Sequence, residues 1–176
     1  MTASNQIPSS EKQSNRNLEA LKDIKKAQLW MLRINGVFQL IDCRELLEID
    51  GRSFVLSMEQ MCGVYRLLDG IVSDLEQIQM IATEYGKDEK PLKSINESIG
   101  HTLQIISLAV KIAESRIGDN DEMLDVPLSV EWVNGFFTAL SWACDYLDSA
   151  QQGMKQLYSI LLKSAERGNN AINSLH

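Results

Sequence analysis

The segment from Val130 to Leu147 constrains the fold most, because it reads VEWVNGFFTALSWACDYL and has few polar residues. Alternating spacings of three and four separate its polar side chains and continue to Asp148 just after it; they are Glu131, Asn134, Thr138, Ser141 and Asp145. On an α-helix this spacing forms one narrow polar stripe and leaves about two thirds of the circumference apolar. Such a helix must be enclosed, either as the central helix of a bundle or as part of an oligomer interface.

Two earlier segments also have the apolar spacing of amphipathic helices. The first covers residues 17–35, and in an alternative interpretation it continues to Glu48. The second begins at the capping-box pattern of Ser57 and Gln60 and ends just before Gly86. Between them, short apolar runs flank an Asp-Gly pair that is typical of a two-residue hairpin turn. We expect either a short β-hairpin near residues 48–56 or a plain helix connection there.

Two later helices complete the prediction. Between Pro91 and Gly118, apolar residues recur at unbroken alternating spacings of three and four, which predicts a third helix. A final helix starts after Ser129, its predicted N-cap, and runs to about Glu166. The sequence therefore predicts an all-α fold, an antiparallel bundle of four, or alternatively five, long amphipathic helices.

Glycine recurs inside three of these helices, beside aromatic residues. GVFQLID at Gly36, GVYRLLD at Gly63 and GFFTALS at Gly135 share one pattern. Interior glycine destabilises a helix by about 1 kcal/mol relative to alanine. We therefore expect these glycines to mark close helix crossings.

The domain organisation follows from composition. Residues 1–16 are polar and have little to bury, so we expect a disordered leader, followed by a single bundle domain at 17–168 and a flexible tail at 169–176. The serine-rich leader resembles the export leaders of type III secretion substrates. This resemblance implies, as an alternative, an effector or secretion component exported through a specialised secretion system.

The net charge of −7 is unevenly distributed. Residues 1–35 carry six Lys or Arg against three acidic residues, whereas residues 36–176 carry eleven against twenty-one. Such an acidic body argues against nucleic acid as a partner. Four cations of the first helix form either a small basic patch or an ordinary solvated face; they are Lys22, Lys25, Lys26 and Arg33.

The compartment is inferred from cysteine usage and hydropathy. The three cysteines Cys43, Cys62 and Cys144 are odd in number and lie in apolar helical contexts, which favours a reducing cytoplasm. No uncharged stretch exceeds the 13 residues of 132–144, so we expect no membrane span.

Catalytic and metal-binding patterns are poorly represented. His101 is the only histidine inside the chain, so neither a zinc site nor a histidine-activated nucleophile is expected. The acidic run at 119–125 departs from a calcium loop because it has Leu124 where that loop needs glycine. We therefore predict no enzyme activity, no cofactor and no metal.

A protein-binding surface is the leading functional prediction. Trp142 points roughly opposite Leu140, since two residues turn an α-helix by about 200°. The candidate interface residues are Trp132, Phe136, Trp142, Tyr146, Ser149 and Gly153. In size and acidity the chain resembles secretion chaperones, immunity proteins and small phage-borne inhibitors, which implies a bacterial protein that binds another protein. A homodimer and an aromatic-lined pocket for a small molecule are the alternatives.

Overall fold

The computed structural model of the chain describes residues 9–41, 53–86, 89–118 and 125–173. Four helices make up most of this part and pack against one another, which confirms the predicted all-α bundle. In chain order the elements are α1 (Ser9–Ile41), β1 (Ser53–Ser57), α2 (Met58–Tyr85), α3 (Pro91–Gly118), β2 (Asp125–Ser129) and α4 (Val130–Asn173).

The helices form a ring in which each one packs against two neighbours. Helix α1 packs against α2 and α4, and α3 packs against the same two helices from the opposite corner. Neighbouring helices are antiparallel. Arg33 of α1 pairs with Asp74 of α2, while Asp23, earlier in α1, pairs with Tyr85 at the end of α2. Helix α4 also runs antiparallel to α1. Asn35 donates to Asp148 at 3.1 Å, while Phe38, later in α1, lines a recess with Leu140, earlier in α4.

Helix α4 is therefore one corner of the bundle and is not its central helix. It packs mainly against α3 and α1. Its buried row faces the core, and Leu140 in that row is only 2% exposed. The buried apolar residues of α4 in this row are Val133, Phe137, Leu140, Ala143, Leu147, Ala150, Met154 and Leu157.

The helix starts follow local capping. The Ser57 side chain accepts a hydrogen bond from the Gln60 backbone, and the Gln60 side chain accepts one from the Ser57 backbone, so the predicted capping box of α2 is confirmed. Ser129 caps α4 by accepting a bond from the Trp132 backbone at 3.2 Å. These side chains satisfy backbone N–H groups that the first turn leaves without a partner.

Two short strands close the end of the bundle where α2 and α4 begin. β1 pairs antiparallel with β2, from Ser53 opposite Ser129 to Ser57 opposite Asp125. The sequence predicted either a plain helix connection or a short β-hairpin near residues 48–56, and such a hairpin pairs two strands across a local turn. The described partner comes instead from the segment before α4, while the predicted turn at Asp50 lies outside the described residues.

Two helices are longer than predicted. α1 begins at Ser9, so residues 9–16 are helical although the sequence assigned them to a disordered leader. Extending an existing helix adds one hydrogen bond per residue, and the Glu, Lys and Gln of this segment favour helix. α4 continues to Asn173, beyond the predicted end near Glu166 and into the predicted tail. Residues 1–8 lie outside the described residues, and the export interpretation stays a prediction.

The glycine prediction is wrong at all three repeated positions. A Cβ added at Gly36, Gly63 or Gly135 would meet no described atom within 4 Å, so these glycines mark no close helix crossing. The close approach is at Gly153, where an added Cβ would lie 2.6 Å from Cγ1 of Ile95 on α3.

A hydrogen bond between helices links α2 to α1. The Tyr85 hydroxyl donates to Oδ2 of Asp23 at 2.7 Å. This bond to the carboxylate, together with partial burial, raises the pKa of Tyr85 from 10.0 to about 12. The folded chain therefore holds the phenol proton more tightly than the unfolded chain does.

The pKa of Tyr85 predicts how stability changes at high pH. The stabilisation is complete below the unfolded pKa of 10.0 and is lost as the pH rises towards about 12. We expect the free energy of unfolding to fall more steeply across this range in the wild type than in Tyr85→Phe. Urea denaturation of both proteins at several pH values checks this, and equal slopes would contradict it.

Candidate functional site

An apolar groove lies on the surface between α3 and α4, with a volume of about 380 Å³. We call it the α3–α4 groove. It is lined by Ile105, Leu108, Ala109 and Ile112 of α3 and by Glu131, Trp132, Gly135, Phe136, Ala139 and Trp142 of α4.

Large side chains form the two sides of the α3–α4 groove. Leu108 on α3 and Trp142 on α4 are each 60% exposed, although both are large and apolar. The lining also includes the small residues Ala109, Gly135 and Ala139, which contribute little volume. Small residues beside large exposed ones leave a recess into which the side chains of a partner can insert.

Aromatic rings continue along the α4 side of the groove. Trp132 and Phe136 stack with ring centroids 5.2 Å apart, which holds both rings in place. Beyond Trp142, the ring of Tyr146 lies 4.7 Å from the ring of His101 on α3. The aromatic row from Trp132 to Tyr146 therefore extends for about 21 Å along α4, at 1.5 Å per residue.

Among the described residues that line the groove, Glu131 is the one that carries a charge. Its carboxylate accepts hydrogen bonds from its own backbone N–H and from the Ser129 side chain, and these bonds lower the pKa of Glu131. The position in the first turn of α4 favours the same charged form, because helix N-termini attract negative charge. The groove therefore has a negative charge at the end nearest the strands.

The structure distributes the six candidate interface residues among three environments. Trp132, Phe136 and Trp142 line the α3–α4 groove. Tyr146 and Ser149 are exposed further along α4, where the Ser149 hydroxyl donates to a backbone carbonyl one turn earlier. Gly153 differs from the other five because it is buried against α3.

The α3 side of the groove was missed in the sequence. The apolar alternation predicted for α3 passes through Ile106 and Ala113, and both are buried. A second row, at Ile105, Leu108 and Ile112, lies beside it and lines the groove. The spacing of three and four in this second row was the sequence signal for an apolar surface. A second apolar row makes the apolar face of a helix wider than one partner helix covers.

The described residues contain neither a metal-binding cluster nor a helix that could cross a membrane. Among the described side chains, no group of three His, Cys, Asp or Glu is arranged to hold a metal ion. The acidic residues 119–124 lie outside the described residues. None of the described helices combines the length and hydropathy that a membrane crossing requires.

Comparisons with known proteins add no identity. The chain matches no protein-family profile, and no curated protein or solved structure is significantly similar to it.

Proposed function

We propose that this chain is a non-enzymatic protein-binding module whose α3–α4 groove accepts an amphipathic helix of a partner protein. One observation carries the proposal: Leu108 and Trp142 remain exposed on either side of an apolar recess. Grouped apolar residues on a folded surface mark interaction sites, and aromatic anchors supply much of the binding energy at such sites.

The dimensions of the groove suit a helix. The aromatic row of α4, from Trp132 to Tyr146, is about 21 Å long, which equals about four helical turns. A helix that docks in a groove inserts side chains spaced three, four and seven residues apart. Three or four such side chains fit along this row.

Charge indicates which helices bind. Glu131 lies in the groove lining, and Asp145 is exposed on α4 one turn after Trp142. The chain as a whole carries a net charge of −7. A partner helix with lysine or arginine beside its apolar row is therefore attracted, and acidic helices are repelled.

The test uses a fluorescently labelled helical peptide with leucines on one face and lysines on the other, titrated by anisotropy. Trp142→Ala is expected to weaken binding by at least about tenfold, the effect of removing an interface anchor. Leu67→Ala is the matched control, because Leu67 is a large exposed apolar residue on α2, outside the groove lining. Equal weakening by both variants, or none by Trp142→Ala, would contradict the proposal.

A charge-inverted peptide tests the second part of the proposal. Replacing every lysine of the peptide with glutamate keeps the apolar face and reverses the attraction. We expect weaker binding of the glutamate peptide, with the difference shrinking as salt is added. Equal affinity of the two peptides would show that the acidic residues play no part in selection.

A small apolar ligand is the second candidate occupant, because the groove volume of about 380 Å³ lies in the range of ligand pockets. Such pockets enclose most of their ligand. Here the large side chains Leu108 and Trp142 are mostly exposed, which favours a helix over a small molecule.

A further inference from the structure

We infer that the α3–α4 groove binds the outward face of α1 from a second copy of this chain. The inference rests on the proposed function, since it uses the same groove. This face of α1 complements the groove in apolar content, length and charge.

The outward face of α1 has an exposed apolar row. Leu29 is 60% exposed and Leu32 is 56% exposed, and Leu18 is exposed on the same side. At about 100° per residue these three leucines fall within a sector of about 60°. The opposite side of α1 is buried in the core, at Ala20, Ile24, Ala27, Met31 and Ile34.

Lysines alternate with these leucines. Lys25 is exposed within this sector and Lys22 about 20° beyond its edge, and among the described residues neither forms an ion pair. Lys26 lies beside them, with its ammonium group 4.8 Å from the centre of the Trp30 ring. The outward face of α1 is thus an amphipathic surface with leucines and positive charge, the type of helix that an acidic apolar groove accepts.

The two surfaces match in length and in charge. From Leu18 to Leu32 the row on α1 extends for about 21 Å, the same length as the row from Trp132 to Tyr146 on α4. Residues 1–35 carry three more positive than negative charges, whereas residues 36–176 carry ten more negative than positive charges. Two copies therefore attract when α1 of one approaches the body of the other.

The contact between copies is heterologous. Helix α1 and helix α3 occupy opposite corners of the ring, so the outward face of α1 and the α3–α4 groove lie on different sides of one molecule. Each copy then gives its α1 face to one neighbour and its groove to another, which permits association beyond a dimer.

The test combines two variants that each lose one surface. The double variant Lys22→Glu/Lys25→Glu reverses the charge of the α1 face, and Trp142→Ala removes the anchor of the groove. Light scattering behind a sizing column should give the monomer mass of 19.8 kDa for each variant alone. The mass of the wild type should exceed the monomer mass and increase with protein concentration. An equimolar mixture of the two variants should form a complex of about 40 kDa and stop there, because only one complementary contact remains.

A matched charge reversal controls for the change in net charge. Lys155→Glu/Lys163→Glu alters two exposed lysines of α4 that lie outside the groove lining, and it should associate as the wild type does. Circular dichroism melting of every variant separates lost association from lost folding.

Two results would overturn the inference. A wild type that is monomeric at every attainable concentration excludes self-association, while binding of the leucine–lysine peptide by the same protein would leave the proposed function standing. Failure of the two monomeric variants to combine would assign the wild-type contact to two identical surfaces instead of α1 and the groove. Failure of both self-association and peptide binding would overturn the proposed function as well.

Discussion

Leu140→Ala is expected to lower the free energy of unfolding by about 2–5 kcal/mol, the range for a large-to-small change in a packed core. Leu140 is 2% exposed and belongs to the buried row of α4. It also lines a small recess of about 150 Å³ with Phe38 of α1, so the space left by the lost methyl groups adds to existing empty volume. Urea denaturation followed by circular dichroism measures the loss.

Trp142→Ala is the control on the same helix. Although tryptophan is the larger side chain, Trp142 lies on the opposite side of α4 and is mostly exposed. Its removal should change the free energy of unfolding of the monomer by no more than about 0.5 kcal/mol. Denaturation at several protein concentrations separates this value from effects on association. If Trp142→Ala unfolds as readily as Leu140→Ala, Trp142 is a core residue and the interface proposal is wrong.

Gly153→Ala is expected to lower the free energy of unfolding by about 1–3 kcal/mol, the usual effect of overpacking. The added Cβ would lie 2.6 Å from Cγ1 of Ile95 and 3.8 Å from the backbone oxygen of Pro91, both on α3. Relief requires the buried Ile95 side chain to move or the two helices to separate. Thermal and urea denaturation both report the change.

Gly70→Ala is the same substitution as Gly153→Ala, but it is expected to raise the free energy of unfolding. Gly70 is exposed inside α2, and an added Cβ would meet no described atom within 4 Å. Alanine should therefore stabilise the helix by about 0.5–1 kcal/mol through its higher helix propensity. If Gly153→Ala and Gly70→Ala are equally stabilising, α3 and α4 do not approach each other closely at Gly153.

Helix boundaries could be predicted where they depend on neighbouring residues. The start of α2 depends on Ser57 and Gln60, three residues apart, and its end on Gly86, so the predicted bounds match the structure. The start of α3 at Pro91 is equally local, because proline fits the first turn of a helix. The start of α1 was missed because its first eight residues have no apolar periodicity, the signal on which the prediction depended.

Contacts between distant segments could not be predicted in the same way. The pairing of β1 with β2 joins segments that precede two different helices, and it depends on how the ring places those helices. The difference between Gly153 and Gly135 also depends on where α3 crosses α4, although both glycines lie on one helix. The groove is formed by α3 and α4 together, whereas the apolar spacing in the sequence describes one helix at a time.

The most direct test of the account is methyl NMR of the protein titrated with the leucine–lysine peptide. The Lys22→Glu/Lys25→Glu variant is used, so that the groove is not occupied by a second copy. If the peptide binds in the α3–α4 groove, the largest chemical-shift changes occur at Ile105, Leu108 and Ile112, which line the groove on α3. Largest changes at Leu67 and Met80, the exposed apolar residues of α2, or no saturable changes at all, would contradict the assignment of the α3–α4 groove as the binding site.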